Sequence, residues 1–144
     1  MTRGLLADRE AVLRAIAVTV VPEAGALGDA SWRELLDIVA DAVAQRPARV
    51  QRQVRLFLKL VDLLPLLRYG RTFVRADART RTAVLQRLER SPSARLRQGL
   101  WGVRTLVLMG YYARPEAQGE LGYRAQAGGW SARAAAEAGA RLVR

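Results

Sequence analysis

Neither cysteine nor histidine occurs among the 144 residues. Their absence excludes disulfides, thiolate nucleophiles, imidazole bases, zinc sites of the usual ligand types and histidine-ligated haem. Carboxylates are few and scattered. No D-x-D or E-x-x-E gathers the 13 acidic residues at metal-ligand spacing, and Glu34, Asp37 and Asp41, at i, i+3 and i+7, read as one solvated helix face. The chain also lacks a glycine-rich phosphate loop of the dinucleotide or P-loop type, so no nucleotide or flavin is expected to bind within it. Catalysis by this chain is not the expectation.

Long hydrophobic runs are missing as well. The longest uncharged apolar stretch is TLVLMGYYA, residues 105–113, far short of the ~20 residues that span a bilayer as a helix. The first residues, MTRGLLADREAVLR, set Asp8, Arg9, Glu10 and Arg14 where an export signal would need an apolar core, and no twin-arginine pair occurs. A cytoplasmic chain without a membrane span is expected.

What is present is arginine and helix-forming pattern. The net charge is +11, and Lys59 is the only lysine among 24 basic residues. Charge is unevenly placed: residues 1–45 carry four basic against seven acidic groups, residues 46–104 carry 15 against three, and residues 105–144 carry five against three. The middle block therefore holds the whole excess, and its field attracts an acidic protein face or a polyanion. With 51% hydrophobic and 26% charged residues the composition is that of one globular domain.

The apolar residues recur with helical rather than strand periodicity, which predicts an all-α, single-domain bundle of about five helices. A first helix over residues 8–21 aligns Val12, Ile16 and Val20 and stops at Pro22. Ser31 and Glu34 have capping-box spacing for a second helix over residues 31–45, which buries Trp32, Leu35, Leu36, Val39 and Val43. Pro47 suits the first turn of a third, whose seam is Val50, Val54, Phe57, Val61 and Leu64. Arg52, Arg55 and Lys59 lie on its other face, and Pro65 is expected to kink or end it. Asp77 is a candidate N-cap for a fourth helix ending near Arg90, with Leu85 and Leu88 inward. Ser91 and Pro92 read as cap and first residue of a fifth helix over residues 92–113. Gly99, Gly102 and Gly110 within it each cost about 1 kcal/mol relative to alanine. Close approach of another backbone would explain them, so the fifth helix is predicted to be central.

The stretch LMGYYARPEAQGELGY, residues 108–123, collects three of the four tyrosines. Proline disfavours helix in the residue before it, so the fifth helix should end near Ala113 and Arg114 should leave it. Adjacent residues on a helix point about 100° apart, so Tyr111 and Tyr112 cannot share a face. One is expected to seal the core while the other looks outward. Pro115 then opens a turn that Gly122 can close, and Tyr123 follows. Residues 1–124 form the expected domain, and residues 125–144 a tail that is helical, mobile or docked through Trp130.

At these residues the sequence resembles the small (gamma) subunit of bacterial flavin-dependent dehydrogenases, the gluconate 2-dehydrogenase subunit 3 family. The resemblance rests on TVVP at 19–22, FLKLVD at 57–62, Phe73, Leu96 and Arg97, TLVLMGYYARP at 105–115 and LGY at 121–123, and spans about residues 10–124. It implies a helical accessory chain, without a cofactor of its own, bound to a large FAD-dependent subunit of the glucose-methanol-choline oxidoreductase class. Tyr111, Tyr112, Pro115, Gly122 and Tyr123 match the family's elbow. Two departures stand out: Arg124 and Ala125 replace a usual Gly-Pro, and the export signal of many members is missing.

Partner contact is accordingly assigned to Tyr111, Tyr112, Arg114, Pro115, Tyr123 and Trp130 at the elbow and tail, and to Arg52, Arg55 and Lys59 on the third helix. Plain helix-end packing is the alternative for the tyrosines, and a solvated face for the three cations. A basic helical nucleic-acid binder is the competing function, although the cations spread over several helices rather than gathering on one recognition helix.

Overall fold

The structure, a computed structural model, describes residues 2–115. Tyr123, Trp130, Gly122 and the boundary expected at residue 124 lie outside the described residues. Two short 3₁₀ turns, Thr2–Leu5 and Ala7–Arg9, lead into α1 (Glu10–Val20); a third, Pro22–Ala26, separates it from α2 (Asp29–Ala44). Then follow α3 (Ala48–Tyr69), α4 (Ala78–Glu89) and α5 (Ala94–Tyr112). The described residues contain five α-helices and no strand, as the periodicity predicts.

Helix α5 packs against each of the other four, most extensively against α1 and α2. The core between them is aliphatic: Leu13, Ile16, Leu35, Val39, Val43, Leu58, Val61 and Val107 are all within 2% of complete burial. Each such side chain contributes roughly 1.5–3 kcal/mol relative to exposure. Gly99 and Gly110 explain the central position of α5. A Cβ at Gly110 would lie 2.9 Å from Val39 Cγ2 and 3.1 Å from the Leu35 carbonyl oxygen, and one at Gly99 would lie 2.6 Å from the Phe57 ring. Gly102 differs from expectation, because nothing lies within 4 Å of the Cβ it would carry.

Helix ends depart from the sequence reading where a nearer residue takes the capping role. Helix α2 starts two residues early, with Gly28 as its N-cap, so Ser31 sits inside the first turn rather than at the cap position. Pro47 is the N-cap of α3, not its first helical residue. Ser93 occupies the N-cap position of α5, without a side-chain capping hydrogen bond, because Ser91 and Pro92 form a preceding bend in which the Ser93 N–H donates to Ser91 Oγ at 3.1 Å. Asp77 caps α4 as predicted: its carboxylate accepts from the Thr80 N–H at 2.8 Å. On α4 it is Val84 and Leu88 that are buried, with Leu85 half-buried.

Pro65 does not end α3. The helix runs four residues past it and stops at Gly70, whose left-handed backbone (φ 69°) only glycine adopts freely. Proline costs a helix about 3 kcal/mol, and here burial offsets the loss: Pro65 is fully buried. The carbonyl of Asp62, three residues earlier, accepts from the Phe73 N–H at 2.9 Å, so the following loop docks onto this turn of α3.

Candidate functional site

The C-terminal end of α5 has the divided geometry expected of adjacent tyrosines. Tyr111 is buried and Tyr112 is 41% exposed, their rings meeting edge to face at 5.0 Å between centroids. The chain leaves the helix after Ala113, as the proline two residues on requires. Arg114 turns inward: it is 2% exposed, its guanidinium lies 4.7 Å from the Tyr111 ring centroid, and its Nε donates to the Tyr111 carbonyl oxygen at 3.2 Å. The side chain thus anchors the helix end within the chain. Pro115 is exposed beside it.

The three cations assigned to α3 are not equivalent. Arg52 and Lys59 are exposed. Arg55 is paired internally, its Nη2 lying 3.1 Å from Asp8 Oδ2, which ties the second 3₁₀ turn to α3. That hydrogen bond from Arg55, with the charges of Arg55 and Arg9, holds the Asp8 carboxyl below its ordinary value. A depressed carboxyl favours the fold above the unfolded-state value and loses that contribution as pH falls through the folded one. Arg55→Met is therefore expected to move the Asp8 midpoint upward in a carboxyl-resolved NMR acid titration. The shift should shrink in high salt, because the pair is open to solvent.

Sequence reasoning missed the larger feature of α3. The sequence reading makes its outer face strongly basic, yet Leu56 (66% exposed), Leu60, Leu63, Leu66 and Leu67 (93% exposed) stand out from the protein. Leu56, Leu60, Leu63 and Leu67 recur at i, i+4, i+7 and i+11, parallel to the inward seam of Phe57, Leu58, Val61 and Pro65. The signal was available: a helix apolar on both faces needs cover on both. Helix α5 has a smaller counterpart, where Trp101 (71% exposed), Met109 and Tyr112 fall on one exposed stripe.

Other arginines of the basic block serve the fold. Arg81 donates through Nε to the Phe73 carbonyl at 3.0 Å and through Nη2 to the Val74 carbonyl at 2.6 Å, while Asp62 Oδ1 accepts from the Val74 N–H at 3.2 Å. Together they clasp Phe73, which is fully buried. Arg97 donates to the Ser91 carbonyl, and Arg104 pairs with Glu89 at 3.7 Å. Among the described residues no three acidic, histidine or cysteine side chains come together as a metal site, and no helix is long and apolar enough to cross a membrane.

The family model for gluconate 2-dehydrogenase subunit 3 matches residues 7–129. The chain belongs to this family. Subunit 3 is one component of a multi-subunit dehydrogenase, and an apolar surface left uncovered by the described residues accords with that membership. No curated protein and no solved structure matches the chain significantly.

Proposed function

We propose that this member of the subunit 3 family is a non-catalytic small subunit that binds and stabilises a larger FAD-dependent oxidoreductase of the glucose-methanol-choline class. In this reading the partner holds the flavin and oxidises an alcohol or sugar hydroxyl, and this chain carries no cofactor. The observation that carries the reading is the set of large apolar side chains held at the surface of α3 and α5. Contiguous exposed apolar surface marks interaction sites in soluble proteins. Covering it in a complex stabilises both partners by mass action, since only the folded forms bind.

Co-expression with a large FAD-dependent subunit of the glucose-methanol-choline class from the same organism is expected to give a yellow complex that co-purifies in fixed stoichiometry. Tyr112→Ala should loosen that complex without altering the flavin spectrum, because Tyr112 is exposed at the end of α5. A flavoprotein that ignores this chain contradicts the proposal. In the same reading the complex is cytoplasmic.

The basic middle block supports a second reading, a nucleic-acid binder. Internal engagement of Arg55, Arg81 and Arg97 weakens it, as does the interleaving of the free cations of α3 with leucines. Nanomolar duplex binding with a steep log-salt dependence would restore it.

A further inference from the structure

The outer face of α3 combines two chemistries, cationic at its N-terminal end and increasingly apolar toward its C-terminal end. Arg49 and Arg52 open the row near the N-terminus, Leu56, Lys59 and Leu63 follow in turn, and Leu67 closes it near the C-terminus. At 3.6 residues per turn these six side chains fall within about 100° of one another, and Arg49 to Leu67 spans about 27 Å. One surface can therefore engage the entire row. We infer that this face is the principal docking surface of the chain, and that its occupant is a partner protein offering an apolar groove edged by carboxylates at the end that meets Arg49 and Arg52.

Charge selects this occupant over the others. A second copy of the chain would bring another +11 molecule to a basic face. Parallel pairing of two α3 helices would oppose arginine to arginine, and antiparallel pairing would bury Arg49 and Arg52 against Leu67 and Leu66 without a counter-ion. Both arrangements are unfavourable, since like charges repel and an unpaired buried charge is costly. The chain's own residues 116–144 carry four arginines against three glutamates, so they offer no net acidic complement either. An external acidic rim satisfies the cations, and a groove removes the leucines from water. The same ordering sets the kinetics: exposed cations steer encounter, and apolar contacts govern dissociation.

This inference rests on the reading of the chain as an accessory subunit, and the test separates the two. Binding of the large FAD-dependent subunit is measured for the wild-type chain and for three variants whose circular dichroism and melting confirm folding. Leu67→Glu, at a side chain already 93% exposed, leaves the fold unchanged and is expected to weaken the complex at least 30-fold, mainly through faster dissociation. Arg52→Glu combined with Lys59→Glu is expected to slow association at least 10-fold and flatten its salt dependence. Arg33→Glu, an exposed site on α2, should change affinity less than 3-fold. Wild-type binding that is indifferent to Leu67→Glu overturns the docking surface alone, and no wild-type binding overturns the subunit reading and the surface with it. Sedimentation of the free chain as a dimer that Leu67→Glu dissociates would assign the face to a second copy. Binding of the wild-type chain, but not Leu67→Glu, to phosphatidylserine vesicles would assign it to a membrane surface; either result overturns the inference.

Discussion

Phe73→Ala is expected to remove about 3–5 kcal/mol of folding free energy, the usual cost of emptying a fully buried phenylalanine site. Phe73 belongs to no helix, yet it is completely buried. Its backbone is fastened on both sides: its N–H reaches the Asp62 carbonyl on α3, and its carbonyl accepts from Arg81 on α4. The Arg81 guanidinium also lies 5.8 Å from the ring centroid. Truncation therefore opens a cavity that cannot collapse without breaking this clasp. Domains of this size hold about 5–15 kcal/mol in total, so the variant should unfold at a much lower urea concentration than wild type. A midpoint shift corresponding to less than about 1 kcal/mol would show that the linker repacks freely and that the clasp is incidental.

The second large effect comes from one substitution made at three places on α5. Gly110→Ala drives a methyl to 2.9 Å from Val39 Cγ2 and 3.1 Å from the Leu35 carbonyl oxygen. Neither neighbour yields easily, as one is a β-branched side chain and the other is backbone. Overpacking of this kind costs about 1–3 kcal/mol, more than the ~1 kcal/mol that alanine gains over glycine as a helix former. Gly99→Ala meets the Phe57 ring at 2.6 Å and should also destabilise. Gly102→Ala meets nothing within 4 Å, so the propensity gain stands alone and the variant should be more stable than wild type by about 0.5–1 kcal/mol. Thermal melts should therefore move in opposite directions within one helix, by roughly 2–8 °C per kcal/mol. Equal shifts at all three sites would mean that α5 does not sit at the centre of the bundle as described.

These glycines also show how far the sequence could be read. Three glycines in one apolar helix imply close approach of another backbone, which holds at Gly110, where the Leu35 carbonyl comes near, whereas at Gly99 the close neighbour is the Phe57 ring. The inference fails at Gly102, since a glycine excused by sequence context looks the same as one required by packing. Proline was misread for a related reason. The rule that Pro65 breaks a helix is local, whereas its burial and the docking of the Phe73 loop onto the preceding turn are long-range and override it. The division of labour between Tyr111 and Tyr112 was legible because it follows from helix geometry alone. The inward turn of Arg114 was not, because it depends on where the Tyr111 ring comes to rest.

The candidate site was legible in part. Reading one seam per helix makes Val54, Phe57 and Val61 the core and turns the opposite face, by elimination, into solvent. The bundle has only one side of α3 to cover, so Leu56, Leu63 and Leu67 remain outside with Arg52 and Lys59 among them. The apolar residues were visible in the sequence; which of two parallel stripes the bundle would bury was not.

The account stands on these uncovered side chains belonging against another subunit. It is tested most directly by the melting temperature of the purified FAD-dependent subunit, recorded by flavin fluorescence with and without an excess of this chain. The expected result is a rise that grows with the concentration of the chain and saturates at a fixed ratio, as linkage requires when binding is confined to the folded state. A melting temperature unchanged at every concentration would contradict it.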